Sequence, residues 1–207
     1  MAYHHGNLKP ALLAAAVEIL DEQGVAGLTL RAVARRTGVS RQAPYNHFRD
    51  ADHLIAAVAE EAFEELLGLL TDRWCEGGDE RALQDMGVCY VRFAVDNPGR
   101  FRVMFGPQLR RRDEFPELAR AADRVFTALS RPPAALLGDE VEQTASRPAD
   151  RIPPEDARVP LWSVVHGLSY LLVDGQLTGG PPGAEAAEAF ARATTKALWF
   201  GLAGGRV

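Results

Sequence analysis

Hydrophobic residues along this chain recur every three or four positions, the spacing that places them on one face of a helix. In the first such segment the shared face carries Leu8, Leu12, Ala15, Ala16 and Ile19. Asn7 is suited to cap the start of this helix, and Gly24 is suited to end it. No convincing segment alternates apolar and polar residues as a β-strand does. The pattern therefore predicts an all-α fold.

Capping residues delimit the next three helices. Thr29 caps a second helix that Gly38 closes, Ser40 caps a third over 41–48, and Asp50 caps a long fourth that runs to a break at 76–79. Further helices are predicted at about 80–96, 98–105, 115–136, 156–177 and 184–202. With the first four, the chain is expected to form about nine helices. Prolines and charges at 132–160 predict a long loop, and residues 179–183 a tight break before the last helix.

The second and third helices have the features of a helix-turn-helix. Ala34 stands where the two helices would cross, and Gly38 can adopt the positive φ that a tight turn requires. The third helix would expose a mixture suited to base edges and phosphates, namely Arg41, Gln42, Ala43, Tyr45, Asn46 and His47. An ordinary helical hairpin with a solvated, arginine-rich face is the alternative.

The distribution of charge along the chain favours DNA binding, although the negative net charge of the whole chain does not. The 207 residues include 23 Lys+Arg and 28 Asp+Glu, a net charge of −5. Residues 29–49 nevertheless hold five arginines and no acid, which leaves 18 basic and 28 acidic residues elsewhere. We therefore expect a small basic DNA-binding domain, residues 1–50, followed by a larger acidic helical domain, residues 51–207.

Other functional classes find little support in the sequence. Cys75 and Cys89 are too few for a disulfide scaffold, and no apolar run is long enough to cross a bilayer or resembles a signal peptide, so a reduced, cytoplasmic setting is expected. No catalytic motif, metal-ligand spacing or phosphate loop predicts an enzyme or a cofactor. An enzyme would have to use His166 with Asp174, eight residues or roughly 12 Å away along a helix, or a cysteine nucleophile.

Four segments, 11–17, 27–34, 37–40 and 45–48, resemble the DNA-binding domain of the tetracycline-repressor (TetR) family. Trp162, His166 and Gly167 are similar to the Trp-His-Gly signature of one branch of that family, and 90–105 resembles the middle segment of that branch. The resemblance implies an N-terminal three-helix helix-turn-helix domain and a C-terminal helical bundle that binds an effector and dimerises.

The resemblance also implies roles for individual residues. Phosphate contacts are implied for Thr29, Arg31, Tyr45 and His47, and base contacts for Arg41, Gln42 and Ala43; Ser40 and Asn46 complete the predicted DNA-binding set. The lysine that often begins the family's fourth helix is replaced here by Ala51, between Asp50 and Asp52, so Arg49 or His53 would have to substitute. The segment Tyr3–Gly6 is either an arm toward the DNA backbone or a disordered end.

The C-terminal domain contains the expected effector pocket and dimer interface. Aromatic, methionine and histidine side chains are the pocket candidates: Met86, Tyr90, Phe93, Phe105, Phe126, Trp162 and His166. Most such residues in a bundle belong to the core, and a hydrogen-bonded structural histidine is the alternative for His166; Gly167 indicates close helix approach. The last two long helices would pair with their copies, with these apolar candidates: Val164, Leu168, Leu171, Leu172, Phe190, Ala193, Ala197 and Leu198.

Together these features predict a bacterial, homodimeric, ligand-responsive transcriptional regulator. We expect a repressor that binds a palindromic operator in double-stranded DNA and is released by an unidentified small-molecule effector. Two alternatives to this regulator remain: the enzyme considered above, and a DNA-binding protein that has no effector.

Overall fold

The computed structural model describes residues 8–74, 80–109, 112–129, 158–177 and 182–202. Within these ranges the chain forms eight α-helices and three short 3₁₀ segments and no strand, which confirms the predicted all-α fold. The helices are α1 (Leu8–Gly27), α2 (Leu30–Thr37), α3 (Ala51–Trp74), α4 (Glu80–Asp96), α5 (Pro98–Phe105), α6 (Pro116–Leu129), α7 (Arg158–Val173) and α8 (Ala184–Leu202). The Tyr3–Gly6 arm, the Asn7 cap, most of the predicted loop at 132–160 and part of the 179–183 break lie outside the described residues.

The first of two compact units comprises Met1–Glu65 and Asn97–Asp123. Its helix α1 packs against both α2 and α5. Of the apolar residues that the helical pattern placed on one face of α1, Leu8 is half-buried and the rest are buried, including Leu12, Ala16 and Ile19. Close packing of α5 on α1 requires Gly99, because a Cβ at that position would lie 2.8 Å from the Asp21 Oδ1 and 3.0 Å from the Leu20 Cγ.

Glycines mark two helices of this unit at the predicted positions: α2 ends at Gly38 as predicted, whereas α1 is interrupted at Gly24 and does not end there. The helical path of α1 is interrupted at Gly24 (φ 67°, ψ −173°) before a last turn to Gly27. Helix α2 begins after Thr29, whose hydroxyl oxygen accepts a hydrogen bond from the Ala32 amide at 3.1 Å, and ends at Gly38 (φ 69°). Both glycines adopt the left-handed conformation that other residues rarely take.

The second compact unit comprises Leu66–Asp96 and Arg124–Val207. Helix α4 packs against α7 and α8, which also pack against each other. A tight cluster of apolar side chains fills the space between them, formed by Val91, Leu168, Leu172, Ala187 and Ala191. This arrangement is a helical bundle of the kind that the sequence predicts for the C-terminal domain.

Helix α7 ends four residues earlier than predicted. Gly175 takes a φ of 67°, its amide donates to the Leu172 carbonyl at 3.0 Å, and the Gln176 amide donates to the Leu171 carbonyl at 2.9 Å. This pair of bonds is a glycine-dependent helix stop, so residues 174–177 form a turn and not a last helical turn. No helix in the described ranges is long and apolar enough to span a membrane.

Candidate DNA-binding surface and C-terminal aromatic cluster

The turn between α2 and the following segment is built from small and apolar residues. Ala34 is buried where the segments meet, and Gly38 ends α2 with its amide bonded to the Arg35 carbonyl at 3.3 Å. The next amide, on Val39, bonds to the Ala34 carbonyl at 3.1 Å. These contacts fix the direction in which the chain leaves α2, as a helix-turn-helix requires.

The segment after the turn is a short 3₁₀ helix, Ala43–Asn46, where an α-helix over 41–48 was predicted. The amides of Ala43, Tyr45 and His47 each bond to the carbonyl three residues earlier, at 3.0–3.1 Å. Pro44 has no amide hydrogen to donate, which weakens the α-helical alternative. The predicted Ser40 side-chain cap is also absent, because the position before this helix is Gln42, which makes no side-chain cap hydrogen bond.

Two residues of this segment are buried, and the three between them are exposed. Pro44 and Phe48 are buried and anchor it to the first unit, whereas Tyr45 is 44% exposed despite its large ring. Nearly all the predicted DNA-binding side chains are exposed, namely Thr29, Arg31, Ser40, Arg41, Gln42, Tyr45, Asn46 and His47, and Ala43 is half-buried. The surface can therefore present two cations, two amides, two hydroxyls, a phenol and an imidazole to a duplex.

Arg36 does not belong to this surface, although it lies in the arginine-rich window. Its guanidinium bonds to Glu18 at 3.0 Å and to Glu22 at 2.5 Å, so it joins α2 to α1. The hydrogen bond from Arg36 lowers the pKa of the Glu22 carboxyl below its ordinary value. Counting arginines along the sequence could not show that Arg36 joins α2 to α1, because its partners lie 14 and 18 residues earlier in the chain.

At the start of α3, the side chains of Arg49 and His53 both bind the Asp50 carboxylate. The Asp50 carboxylate accepts from the His53 amide at 3.0 Å, which confirms the predicted cap, and from the His53 Nδ1 at 2.7 Å. It also pairs with Arg49 at 3.0 Å. The hydrogen bond from the His53 ring is the main cause that holds the pKa of Asp50 well below its ordinary value. The two residues suggested as substitutes for the missing lysine are thus both bound to Asp50.

In the second unit, three predicted pocket residues form one hydrogen-bonded group. The Trp162 indole donates to the Tyr90 phenol oxygen at 3.2 Å, and that oxygen lies 2.9 Å from the Nδ1 of His166. The phenol oxygen accepts from Trp162; in its bond with His166 the phenol donates when Nδ1 carries no hydrogen, and the imidazole donates when Nδ1 is protonated. Burial lowers the pKa of His166 to about 4 and raises that of the Tyr90 phenol, so both side chains are neutral at pH 7.

Aromatic rings extend this group. Phe126 packs edge-on against Trp162 at a centroid distance of 5.6 Å, and Tyr170 packs against His166 at 5.0 Å. Phe93 is buried in the same unit. Phe105 belongs to the first unit, where its ring lies 5.4 Å from Phe63 and 5.2 Å from Phe101.

A small cavity of about 20 Å³ lies beside this aromatic cluster, room for about one water molecule. Met86 and Trp162 are the predicted pocket residues that line it. The other lining residues are apolar or small: Gly87, Leu129, Leu161, Val165, Thr195 and Leu198. The sequence prediction, which selected mainly aromatic residues, missed these small and aliphatic ones. Gly87 and Thr195, for example, are brought together only by the packing of α4 on α8.

Sequence comparisons match both halves of the chain to known families. Residues 12–58 match the family described as bacterial regulatory proteins, tetR family. Residues 83–197, more than half of the chain, match the tetracyclin repressor-like C-terminal domain and include Trp162, His166 and Gly167. The chain belongs to the TetR family.

Relatives of this TetR-family chain are similar over different lengths. The uncharacterized HTH-type transcriptional regulator YobS from Bacillus subtilis (strain 168) is 30% identical over 94 residues, which are 45% of this chain and 49% of YobS. The chain thus matches about half the length of that curated relative. A solved structure of a protein with unknown function from Rhodococcus sp. RHA1 is 26% identical, with 98% of this chain and 99% of the other covered and a TM-score of 0.77.

A second solved structure supports the TetR fold alone, because its identity is low. PfmR, a TetR family transcriptional regulator from Thermus thermophilus, is 21% identical, with 90% of this chain and 96% of PfmR covered and a TM-score of 0.65. The two matched families identify this protein as a TetR-family transcriptional regulator with a DNA-binding helix-turn-helix. In the part of the chain that the structure describes, no cluster of three or more His, Cys, Asp or Glu side chains could hold a metal ion.

The predicted TetR-type dimer residues fall into two groups in the single chain. Leu168 and Leu172 are buried in the core of the second unit, and Val164 and Leu198 are half-buried. Leu171 and Phe190 are each 39% exposed, and Ala193 and Ala197 are exposed beside Phe190 on α8. Gly167 is exposed as well, and outside its own stretch of helix no described atom lies within 4 Å of where its Cβ would stand, so no described helix makes the close approach expected there.

Proposed function

We propose that this TetR-family protein is a homodimeric transcriptional repressor that binds a palindromic operator and is released by a small-molecule effector. Residues 1–50 would serve as the DNA-binding domain, and residues 51–207 as the effector-binding and dimerisation domain. The protein would act in the cytoplasm, where bacterial DNA is accessible. Each part of this proposal is supported by a separate feature of the molecule.

The observation that carries DNA recognition is the exposed row of polar side chains on a segment anchored by Pro44 and Phe48. Arg41 and Gln42 can form hydrogen bonds to base edges, whereas Tyr45 and His47 suit phosphate oxygens. Arg31 adds a cation at the first turn of α2, next to Thr29. These are the groups that a helix-turn-helix presents to a major groove and its flanking backbone.

Dimerisation is supported by uncharged faces that a single chain leaves open. The exposed positions described on α7 form one row: Val159, Ser163, Gly167 and Leu171. On α8 the exposed stripe consists of Ala186, Ala189, Phe190, Ala193 and Ala197, with Glu185 and Lys196 at its margin. Small and apolar residues in such rows allow helices of a second copy to pack closely. Two recognition segments about one duplex turn apart would then read a palindrome.

Effector control is supported by the neutral aromatic cluster and the cavity next to it. Bundle interiors lined by apolar side chains and a few polar groups are the usual sites for small ligands. An effector that prefers a conformation unable to match successive major grooves would shift the population toward that conformation. A preference of about 2.8 kcal/mol suffices to weaken operator binding 100-fold.

The proposal can be tested by in vitro selection. The purified full chain selects binders from a pool of random DNA duplexes, and the affinity for a selected duplex is compared with that for a scrambled one at several salt concentrations. We expect sequence-selective, salt-sensitive binding with a dissociation constant of about 10⁻⁸ M or lower. Enrichment of no sequence, with equal affinity for selected and scrambled duplexes, would refute the proposal.

Single substitutions assign roles within the same experiment. Tyr45→Ala and His47→Ala should weaken binding to both duplexes, because phosphates are common to all sequences. Arg41→Ala and Gln42→Ala should cost about 1–3 kcal/mol on the selected duplex and relax the base preference at the position read. Equal losses on both duplexes for all four variants would show that the assignment of roles is wrong.

A further inference from the structure

The cavity of the second unit offers a ligand no charged partner. Its described lining consists of aliphatic, thioether and indole groups, the backbone of Gly87 and the side chain of Thr195. Asp85, next to the lining residue Met86 in the chain, pairs with Arg192 of α8 at 2.9 Å, and Arg192 also bonds to Glu188 at 3.1 Å. Lys196, next to the lining residue Thr195, is exposed. A charged molecule in this cavity would lose its hydration without gaining a counter-charge.

Room in the cavity is limited at one contact. A Cβ on Gly87 would lie 2.3 Å from the Thr195 Cγ2, so the helix backbone of α4 rests directly against that methyl group. The methyl is held there because the Thr195 hydroxyl donates to the Ala191 carbonyl at 2.8 Å, and the residue is only 1% exposed. A volume of about 20 Å³ admits no organic ligand unless the helices that line the cavity separate, and α4 and α8 are in direct contact at this point.

We propose that the effector of this protein is an uncharged, mainly apolar molecule, and that it gains its space by parting α4 from α8 where Gly87 meets Thr195. This inference rests on the proposed function, since it names the ligand class and the opening contact of the same site. Trp162 belongs to the cavity wall and is hydrogen-bonded to Tyr90, so a ligand that enters changes the surroundings of its indole.

The ligand class is tested with three probes of equal chain length: 1-octanol, octanoate and octylammonium. Trp74→Phe and Trp199→Phe leave Trp162 as the single tryptophan of the full chain. At pH 7.5 its fluorescence should titrate with octanol at a dissociation constant at least tenfold lower than with either ion. No response to octanol, or an affinity for octanoate or octylammonium within threefold of that for octanol, would overturn the inference.

The opening contact is tested with two substitutions at one position. Thr195→Ser removes the methyl that meets Gly87 and keeps the hydroxyl, so the affinity for octanol should rise at least threefold. Thr195→Val has nearly the volume of threonine and keeps a methyl at the contact, so the affinity for octanol should not rise in this variant. Equal affinities of the wild type and both variants would overturn the placement of the site.

Operator selection by the wild type does not depend on these probes. Failure of that selection would therefore count against the proposed function, whereas failure of the octanol titrations beside a successful selection would count against this inference alone.

Discussion

The phenol oxygen of Tyr90 lies 2.9 Å from the Nδ1 of His166, which joins the middle of α4 to the middle of α7. Tyr90 is completely buried, and its oxygen also accepts the indole hydrogen of Trp162 at 3.2 Å. No buried side-chain nitrogen or oxygen in the described part of the chain lacks a partner. The Trp and His of the family signature thus have a structural role in this protein, because both meet one phenol.

Removing the phenol oxygen should destabilise the fold. In Tyr90→Phe, His166 and Trp162 each lose one hydrogen bond in a largely buried setting, at a cost of about 1–3 kcal/mol. Urea denaturation followed by circular dichroism measures the change. Tyr45→Phe, which alters an exposed phenol, is the control and should change the free energy of unfolding by less than about 0.5 kcal/mol. Equal stability of the wild type and Tyr90→Phe would contradict the role given to this oxygen.

His166 should make stability depend on pH in a defined window. Its pKa is lowered by burial to about 4, against about 6.5 in an unfolded chain. Between these values the unfolded state binds a proton that the native state does not, so stability falls as the pH drops from about 6.5 to 4.

A non-titrating variant isolates this contribution. His166→Gln keeps a hydrogen-bonding side chain, so its stability should decline less than that of the wild type over the same window. We expect a difference of about 1–2 kcal/mol, less than full linkage gives because the ring is half-buried. Chemical denaturation at pH 4.5 and 7.5 measures it, and parallel pH profiles would show that the imidazole does not titrate as stated.

The contact between Gly87 and Thr195 predicts an unusual cost for alanine in a helix. Alanine normally stabilises a helix by about 1 kcal/mol relative to glycine. Gly87→Ala should instead destabilise by about 1–3 kcal/mol, since its Cβ would overlap the Thr195 methyl. Gly68→Ala on α3, where nothing lies within 4 Å, is the matched control and should stabilise. Adding Thr195→Ser to Gly87→Ala should recover most of the loss; a double variant no more stable than Gly87→Ala would refute the steric explanation.

Local signals predicted most helix boundaries. The ranges of α4, α5 and α8 agree with those expected, because Asn97-Pro98, Gly106-Pro107 and the glycine at 183 interrupt the helical pattern at definite residues. Three local predictions were wrong. The recognition segment is a 3₁₀ helix at Ala43–Asn46, Ser40 does not cap it, and Gly175 ends α7 early.

Relationships between distant residues could not be predicted in this way. Arg36 looked like one of five equivalent arginines until α1 brought Glu18 and Glu22 to it. Gly87 and Thr195 are 108 residues apart and share no periodic pattern, so the narrowest point of the cavity follows only from how α4 packs on α8.

The clamp made by Arg36 predicts that two neighbouring arginines behave differently. Arg36→Ala should lower the thermal midpoint of unfolding, because it frees α2 from α1, and leave the salt dependence of operator binding unchanged. Arg41→Ala should leave the midpoint unchanged and relax the base preference, as expected of an arginine that meets a base. Differential scanning fluorimetry, salt titrations and the comparison of selected with scrambled duplexes distinguish the two variants. A reduced salt slope in Arg36→Ala would show that this arginine reaches the DNA.

The uncharged stripe on α8 predicts where a new charge should break the dimer. Ala193 lies near the middle of the exposed stripe that includes Phe190 and Ala197. In Ala193→Glu a carboxylate would be buried without a partner between two copies, so the dimer dissociation constant should rise at least tenfold. Sedimentation equilibrium measures this constant. Operator affinity should fall in parallel, because a palindrome is read by two recognition segments.

The same substitution elsewhere on α8 is the control. Ala184 is also exposed, but it stands at the first residue of the helix and outside the stripe. A glutamate there interacts favourably with the helix N-terminus, so Ala184→Glu should leave both the dimer and operator binding unchanged. If Ala193→Glu remained as dimeric as Ala184→Glu, the interface would have to lie on another face. If Ala193→Glu were monomeric and still bound the selected duplex with full affinity, the need for two paired recognition segments would be refuted.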